Sequence, residues 1–443
     1  MPDTVYAHLD LSFTLSHRTS PGTACRTCPD YRLHGITAYP LFKVPCCALY
    51  ATCCQTASFD GMLCGKNIFI LHLCYYPQWR GGQETVHQQD RAREGTIPML
   101  SRTRLQELLE AIRNVRIGIV GDFTLDGYWY VDMMRAQLSR EAPLYNRPVV
   151  RETYSAGGCA NVAVNVAALQ PREAWAFTVL GEDWRGLLLR QVLSAAGLRL
   201  EAVLTCATNW MTPFYGKVIL MGYDNQQEDA RVDFVNTHPL PDAVLDALLE
   251  QIADRLPTLD AIIVADYQTV GTVPERVVQA LNRMAEMNPR VIFAADSRDN
   301  IAQFRAMVIK PNEVEATQMW FPEKRPDEVT EQQLVEAGLR VQATTGRPVY
   351  ITCGERGALL CAAEGYAHIP AMPVSPPIDT VGAGDTFLAA LTTALAAGAT
   401  PWEAGWLATL AAAVIVRKLR TTGTASPEEI LAAYDTYMPG LSR

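Results

Sequence analysis

The sequence predicts an α/β protein with a three-layer α/β/α arrangement, in which a mostly parallel sheet lies between two layers of helices. Short apolar segments that end in polar residues alternate with helical segments from Met99 onward. Two strand-like insertions, at about 127–154 and 205–235, interrupt this alternation. We expect them to form a small β-sheet lid over one edge of the main sheet.

The composition is that of a globular protein, with 443 residues, 49% hydrophobic and 19% charged residues. The net charge of −9 argues against a nucleic acid or anionic membrane as partner, because both require a basic face. The longest apolar run near the start, Ile68 to Tyr76, is shorter than the roughly 20 residues of a membrane span. No secretory signal is recognisable, so we expect a cytoplasmic protein.

Residues 1–98 differ from the rest because they show neither a helical period nor strand alternation. Their Cys25-x-x-Cys28 pair suggests zinc, but no second pair follows at ligand spacing, and a disulfide framework would need an oxidising compartment. Both alternatives are therefore disfavoured. We predict that 1–98 is an extension, disordered or mis-assigned, that the natural protein starts near Met99, and that 99–436 form one domain followed by a tail, 437–443.

Within the domain, a helix is expected after Met99, with Thr103 and Gln106 as its capping box. Apolar strands are expected in the segments RIGIVGD, AFTVLG, LDAIIVADY, RVIFAADS, AMVIKPN and RPVYITCG. In parallel sheets, ligands bind at the carboxyl ends of the strands. Polar or glycine residues follow those strands at Asp122, Asp266, Asp296, Asn312 and Gly354.

The segment DTVGAGD opens a helix whose apolar stripe ends before Gly398. Gly382, Ala383 and Gly384 therefore lie at a helix N-terminus, where backbone N–H groups and the helix dipole favour an anion. Asp385 follows in the first turn and is placed to accept a proton from a hydroxyl. A base beside an anion hole is the combination that phosphoryl transfer to an alcohol requires. The alternative is an ordinary glycine-rich turn with a first-turn acid.

Two segments in the expected order, GGCANVAVNVAAL (157–169) and DTVGAGDTF (379–387), resemble the signatures of the ribokinase-like, PfkB-type carbohydrate kinases. The resemblance covers nearly everything from Met99 to about residue 435. It implies an enzyme that uses ATP and Mg²⁺, with Asp385 as catalytic base and Gly382, Ala383 and Gly384 as anion hole. It further implies that KPNEVE supplies Asn312 and Glu315 for the metal and its waters, and that TCGERG places Thr352, Gly354 and Gly357 at the nucleotide. The sugar would face Asp122, Asp126, Gly157, Gly158 and Asn161.

A narrower resemblance connects GDFTLDGYW, SREAP, VADY and KLRTTGTASPEEI to the D-glycero-β-D-manno-heptose 7-phosphate kinase branch, the kinase half of the bifunctional enzyme of ADP-heptose synthesis. It implies an anomeric hydroxyl as acceptor and cations for the distal phosphate. The candidate cations are Arg140, Lys217, Arg231 and Arg298. The chain departs from the branch at Gln268 and Thr409, which leaves the sugar open.

Three readings follow. The first is a kinase for a heptose 7-phosphate or a similar sugar phosphate. The second is a PfkB-type kinase for another sugar or nucleoside. The third is a non-catalytic regulator that binds sugar or nucleotide. Because a lid of exposed strands has edges that need covering, we also expect a homodimer through the lid, as is common in the family.

Overall fold

The protein is described here by a computed structural model that covers residues 98–419 and 422–441. The predicted extension, 1–98, and its Cys25-x-x-Cys28 pair lie outside the described residues, except for residue 98. The strands are β1 (Arg116–Gly121), β2 (Phe123–Asp132), β3 (Val149–Gly158), β4 (Glu173–Phe177), β5 (Val179–Gly181), β6 (Leu204–Cys206), β7 (Phe214–Met221), β8 (Gln226–Phe234), β9 (Ala261–Asp266), β10 (Ile292–Ser297), β11 (Val308–Ile309), β12 (Val349–Thr352), β13 (Ala358–Ala362) and β14 (Gly365–Ile369). The helices are α1 (Arg102–Ile112), α2 (Cys159–Ala168), α3 (Trp184–Ala195), α4 (Asp242–Arg255), α5 (Glu275–Met287), α6 (Glu313–Trp320), α7 (Glu331–Thr345), α8 (Ala383–Ala396), α9 (Pro401–Ile415) and α10 (Pro427–Leu441).

The main sheet has eight strands in the order β14-β13-β12-β11-β10-β9-β1-β4. Its strands pair in parallel from β4 to β12, and β13 and β14 extend it as antiparallel strands. The sheet has an apolar core on each face, and successive residues of the central strand β9 point to opposite cores, Ile263 to one and Ile262 to the other. Helices α1, α2, α8, α9 and α10 cover one face, and α4, α5 and α7 cover the other. The predicted three layers are thus present.

A second, four-stranded sheet has the order β3-β2-β7-β8, and we call it the lid sheet. Each of the two predicted insertions supplies two of its strands, but β2 begins before the first insertion and β3 ends after it, at Gly157 and Gly158. The segment Leu204–Cys206 does not join it, because β6 pairs instead with β5. The lid sheet meets the main sheet at the carboxyl end of β1, where only Asp122 separates β1 from β2.

Three local predictions differ from the structure. Helix α1 begins at Arg102, one residue before Thr103, and Ser101 is its N-cap, since its hydroxyl accepts a hydrogen bond from Arg104 N at 3.1 Å. The predicted capping box of Thr103 and Gln106 is therefore wrong. The segment AFTVLG divides at Thr178, whose hydroxyl bonds to the Gly121 carbonyl. AMVIKPN forms a strand only at Val308–Ile309.

The end of the chain is helical over most of the segment expected to be a tail. Helix α10 continues past residue 436 to Leu441, and Met438 is 1% exposed. The same helix contacts the start of the domain, because the Tyr434 hydroxyl donates to the Leu100 carbonyl at 2.8 Å. The two ends of the described chain are thus packed together.

Within the described part of the chain, no helix combines the length and the apolar character needed to cross a bilayer. The four cysteines described there are buried and free, and the same residues contain no cluster of three or more His, Cys, Asp or Glu side chains suited to a metal ion.

Candidate active site

A cleft of about 1170 Å³ lies between the lid sheet and the carboxyl ends of the main-sheet strands. The start of α8 forms its floor, with Gly382, Ala383, Gly384 and Asp385 in the wall. Gly382 has φ +80°, a left-handed conformation that glycine adopts without strain, and is the N-cap of α8. A Cβ at Gly384 would meet no atom closer than Lys310 Nζ at 3.8 Å, so an anion can approach the backbone here.

Asp385 is held by one donor on each oxygen. Asn161 Nδ2 lies 2.8 Å from Oδ2, and the Tyr267 hydroxyl lies 3.1 Å from Oδ1. Burial raises the pKa of Asp385 to about 6, and the two hydrogen bonds oppose that shift. The carboxylate is therefore ionised near neutral pH and has a proton affinity suited to a general base.

The amide of Asn161 is oriented by a second asparagine beneath it. Asn165 Nδ2 donates to the backbone oxygen of Asn161 at 2.9 Å and to its Oδ1 at 3.3 Å, and Asn165 Oδ1 accepts from the Thr386 hydroxyl at 2.9 Å. Since Oδ1 of Asn161 is already an acceptor, its Nδ2 faces Asp385. The family resemblance assigned Asn161 to the sugar, but the structure places it under the carboxylate, and it does not line the cleft.

Two polar residues of the cleft, Tyr267 and Lys310, were not predicted from the sequence, and Asp296 was expected only as a polar residue at a strand end. Tyr267, Asp296 and Lys310 follow or end three neighbouring strands, and all three line the cleft. The Tyr267 hydroxyl is 2.9 Å from Asp296 Oδ2, and Lys310 Nζ is 2.8 Å from the same oxygen. Burial is the largest influence on Lys310 and lowers its pKa, but the carboxylates of Asp296, Glu315 and Asp385 together outweigh it, so the pKa of Lys310 is above its ordinary value. Their positions at strand ends were the sequence signal that could have identified them.

Asn312 and Glu315 form a capping box at the start of α6. Asn312 Oδ1 accepts from the N–H groups of Val314 and Glu315, and Glu315 Oε2 accepts from Asn312 N at 2.8 Å. Both residues line the cleft on the side away from the lid sheet. One carboxylate oxygen of Glu315 remains for a ligand, and a carboxylate acting through water suits Mg²⁺. The donor set therefore fits the ion, with Glu315 as the group that would hold it.

The nucleotide residues predicted from TCGERG also line the cleft. Thr352 ends β12, and Gly354 and Gly357 follow with φ of +56° and +96°. A Cβ at Gly357 would lie 2.1 Å from the Ile369 carbonyl oxygen, so this turn requires glycine. The wall beyond it is apolar and is formed by Met372, Pro373, Val374, Ala412, Ala413 and Val416.

The opposite arm of the cleft is polar and is built from the lid sheet. Asp126 on β2 is 4% exposed, and its Oδ2 pairs with Lys217 Nζ at 3.1 Å, while its Oδ1 is buried without a hydrogen-bond partner. Burial raises the pKa of Asp126, and Lys217 opposes the shift. Lys217 also contacts the Tyr128 hydroxyl at 2.8 Å. A hydroxyl group of a bound molecule could donate a hydrogen bond to this unpaired oxygen of Asp126.

Two more of the predicted cations line the cleft together with Lys217, namely Arg231 on β8 and Arg298 directly after β10. Arg231 pairs with Asp233, whereas Arg298 has no ion pair among the described residues, and its Nη1 lies 3.4 Å from the Tyr267 carbonyl. Arg140 does not line the cleft, because it is exposed on the connection between β2 and β3.

Asp122 and Gly157 are close to the cleft without lining it. The Asp122 carboxylate accepts from the N–H groups of Tyr267, Gln268 and Thr272 at 2.9, 2.9 and 2.6 Å, so it holds the loop after β9. A Cβ at Gly157 would lie 2.0 Å from Asp126 Oδ1, so Gly157 leaves room for that carboxylate. Gly158, with φ +53°, does line the cleft.

Comparison with solved structures agrees with this architecture. Escherichia coli phosphofructokinase-2, in complex with substrates and products, is 19% identical with a TM-score of 0.56, covering 74% of this chain and 100% of that one. Arabidopsis thaliana ribokinase, complexed with ribose and ATP, is 19% identical with a TM-score of 0.53, covering 72% of this chain and 98% of that one. The ribokinase-like fold predicted from the sequence is thereby confirmed.

Sequence relatives and a family model show to which family the chain belongs. The bifunctional protein HldE of Citrifermentans bemidjiense is 30% identical over 75% of this chain and 66% of its own length. HldE of Caulobacter vibrioides is 33% identical over 72% of this chain and 63% of its own length. The chain thus spans about two thirds of the length of these relatives. The model of the pfkB family carbohydrate kinases matches residues 129–429. The predicted carbohydrate kinase is confirmed at the level of the family: the chain belongs to the pfkB carbohydrate kinases.

Proposed function

We propose that the protein transfers the γ-phosphoryl group of ATP to the anomeric hydroxyl of a heptose 7-phosphate or a similar phosphorylated sugar. The observation that carries the proposal is the position of Asp385. It lies at the N-terminus of α8, between a polar arm with Asp126, Lys217 and Arg298 and an arm with an apolar wall. A sugar phosphate suits the polar arm, and a nucleotide base suits the apolar wall.

In this proposal, Asp385 accepts the proton of the acceptor hydroxyl as its oxygen bonds to the γ-phosphorus, and the bond from that phosphorus to the β–γ bridging oxygen breaks, releasing ADP. The backbone of Gly382, Ala383 and Gly384 stabilises the transferred phosphoryl group. Glu315 would hold Mg²⁺ through water, with Asn312 fixing the position of Glu315 at the start of α6, and the bound ion would supply positive charge to the phosphates. Thr352, Gly354 and Gly357 would border the nucleotide, and Gly158 and Asp126 would border the sugar.

A second candidate is a kinase for an unphosphorylated sugar or a nucleoside. The ion pairs of Lys217 with Asp126 and of Arg231 with Asp233 favour it, because these two cations already have partners. Arg298 has none among the described residues, and it is the residue that tips the proposal toward a phosphorylated acceptor. Against a non-catalytic regulator stands the complete environment of Asp385, since binding alone needs no base.

The test is an ADP-release assay on the full chain with magnesium ATP and a panel of acceptors. The panel contains heptose 7-phosphate, the free heptose, hexoses, pentoses and nucleosides, and the Asp385→Asn variant supplies the background. Turnover that requires the phosphorylated heptose supports the proposal. Turnover on another acceptor would show that the proposed substrate is wrong, while the proposed mechanism would still hold. If no acceptor gave ADP release above the rate of the Asp385→Asn variant, the hypothesis of a non-catalytic regulator would replace the proposed kinase function.

We further propose a kinase domain over 99–436 that extends to the end of α10, and a homodimer formed through the lid sheet. The first is supported by the packing of α1 into the core with α8 and α10. The second is supported by the edge strands β3 and β8 and by exposed Val149, Val150 and Val232, which are 50%, 48% and 44% exposed. A cytoplasmic location is proposed because the reaction consumes ATP.

A further inference from the structure

Tyr267 lies between two carboxylates in the cleft. Its hydroxyl is 3.1 Å from Asp385 Oδ1 and 2.9 Å from Asp296 Oδ2. Its backbone is fixed as well, because its N–H donates to Asp122 Oδ2 at 2.9 Å. Tyr267 is the first residue after β9. Arg298 lies over the face of its ring, with 5.5 Å between the guanidinium carbon and the ring centre. The hydroxyl is therefore held in place by the fold.

A phenol hydroxyl has one proton, so it can donate to only one of these two acceptors at a time. The competition is unequal, because Lys310 Nζ lies 2.8 Å from the same Asp296 oxygen that faces the phenol. The ammonium group supplies that oxygen with a charge-assisted donor. Asp385 Oδ1 has no such cation in contact among the described residues. The proton of Tyr267 is thus available to Asp385.

We propose that Tyr267 is a positioning residue for the base: its hydroxyl donates to Asp385 and keeps that carboxylate ionised and aimed at the acceptor, while Lys310 occupies Asp296. The inference rests on the proposed kinase function, and it assigns a role that the sequence patterns did not. Tyr267 keeps its own proton throughout, since the proton of the acceptor hydroxyl goes to Asp385 itself.

The charged and titratable groups around Asp385 are few. Asp296 from β10 and Lys310 after β11 face it, Cys159 from α2 is buried nearby, and Glu315 lies beyond Lys310. Asp296 raises the pKa of Asp385 and Lys310 lowers it, so the two partly cancel. The effect of burial on the pKa of Asp385 is therefore opposed mainly by the two hydrogen-bond donors, Asn161 and Tyr267.

The experiment is a carbon-13 NMR titration of the aspartate carboxyl groups in the full chain without substrates, with the Asp385→Asn variant identifying the signal. Removing a donor to the charged form raises a pKa. In Tyr267→Phe, the midpoint of Asp385 is expected to rise by about one pH unit, from the strength of a hydrogen bond to a charged group. The matched control is Tyr350→Phe, which loses a bond to the Pro401 carbonyl and leaves every carboxylate alone. A midpoint unmoved in Tyr267→Phe would overturn the proposal.

A double-mutant cycle separates the phenol from simple charge repulsion. Asp296→Asn removes a negative charge near Asp385, so the midpoint of Asp385 should fall. The fall should be about equal in a Tyr267→Phe background, because the phenol already donates to Asp385 and only the charge changes. A clearly larger fall with the phenol present would mean that the phenol donates to Asp296 until that residue is changed, and the proposal would fail.

Folding failure of Tyr267→Phe would be seen as a melting temperature far below that of Tyr350→Phe. In that case, 3-fluorotyrosine in place of tyrosine tests the same bond, since a more acidic phenol donates more strongly and should lower the midpoint. Among the described residues, Tyr267 is the one tyrosine whose hydroxyl contacts Asp385. An unchanged midpoint would again contradict the inference.

Kinase activity gives an independent readout. In Tyr267→Phe, the loss of kcat/KM should be about fivefold at pH 6, approach about tenfold at lower pH and be small at pH 8, because a rise of one unit in the pKa of Asp385 lowers its ionised fraction by those factors. A loss of equal size at both pH values would indicate a merely structural role. If the wild-type chain turned over no acceptor, the proposed function would fail, while the titration would still decide the role of Tyr267.

Discussion

Asn161 Nδ2 lies 2.8 Å from Asp385 Oδ2, although 224 positions of sequence separate the two residues. The contact joins the two glycine-containing segments that resemble the family signatures, one at the start of α2 and one at the start of α8. It is buried beneath Gly382, where a Cβ would lie 2.8 Å from the same nitrogen. The first signature segment therefore contacts the carboxylate that the second segment supplies.

Gly382→Ala should impair catalysis through this contact. The substitution forces an alanine into φ +80° and pushes its Cβ against Asn161, so we expect a cost of about 1–2 kcal/mol in the free energy of unfolding and a loss of turnover of at least about tenfold. Chemical denaturation and ADP release measure the two effects. The control is Gly398→Ala, at φ +86° after the same helix, where no atom lies within 4 Å of the added Cβ. Equal loss of turnover in both variants would contradict the explanation.

The acid limb of the activity profile should report Asp385. Because burial raises its pKa to about 6, the base is protonated below that pH, and kcat/KM should fall about tenfold per pH unit there. A pH series of ADP release on the full chain measures the midpoint. A midpoint near 4, the ordinary value for a carboxyl group, would show that Asp385 is not the titrating base.

Asp385→Asn should abolish turnover and stabilise the fold above neutral pH. A carboxyl whose folded pKa is raised contributes most stability below its unfolded pKa, and that contribution is lost as pH rises through about 6. Asparagine carries no charge to desolvate, so at pH 8 the variant should gain on the order of 1 kcal/mol in the free energy of unfolding. Denaturation curves at pH 8 and pH 4.5 test this, and the gain should vanish at the lower pH. A gain of the same size at both would exclude charge burial as its cause.

Asp122→Asn should loosen the loop after β9. The carboxylate accepts three backbone N–H groups, and an amide offers one oxygen in place of two, so at least one buried donor loses its partner. The expected cost is about 1–3 kcal/mol in the free energy of unfolding. In the same variant, hydrogen exchange of the backbone amides of Tyr267, Gln268 and Thr272 should be faster than in the unsubstituted protein. Asp260→Asn is the control, because Asp260 accepts one backbone N–H, from Arg116. Unchanged exchange in Asp122→Asn would contradict the anchoring role.

Arg298→Gln should distinguish the two acceptor classes. If the acceptor has a distal phosphate, losing this cation should raise its KM at least tenfold and leave the KM for ATP nearly unchanged. The exposed Arg290, changed to Gln, is the matched control for loss of one positive charge. A rise confined to ATP would instead place Arg298 at the nucleotide phosphates and favour an unphosphorylated acceptor.

The sequence by itself determined the layered α/β architecture, the helix start at Gly382 with Asp385 in its first turn, and the elements around Asn312 and Thr352. These features follow from local rules: apolar periodicity selects strands and helices, and a glycine-rich helix start has free N–H groups.

The tertiary structure decided which polar side chains meet. Tyr267, Asp296 and Lys310 converge because three parallel strands end at one edge, and nothing local in their segments states where each side chain points. The resemblance implies that Asp122 and Asn161 face the sugar. The sequence does not reveal that the Asp122 carboxylate accepts hydrogen bonds from the loop after β9, or that Asn165 orients the Asn161 amide toward Asp385. Side-chain direction at strand ends is set by long-range packing and by competition for hydrogen bonds, which a one-dimensional pattern does not record.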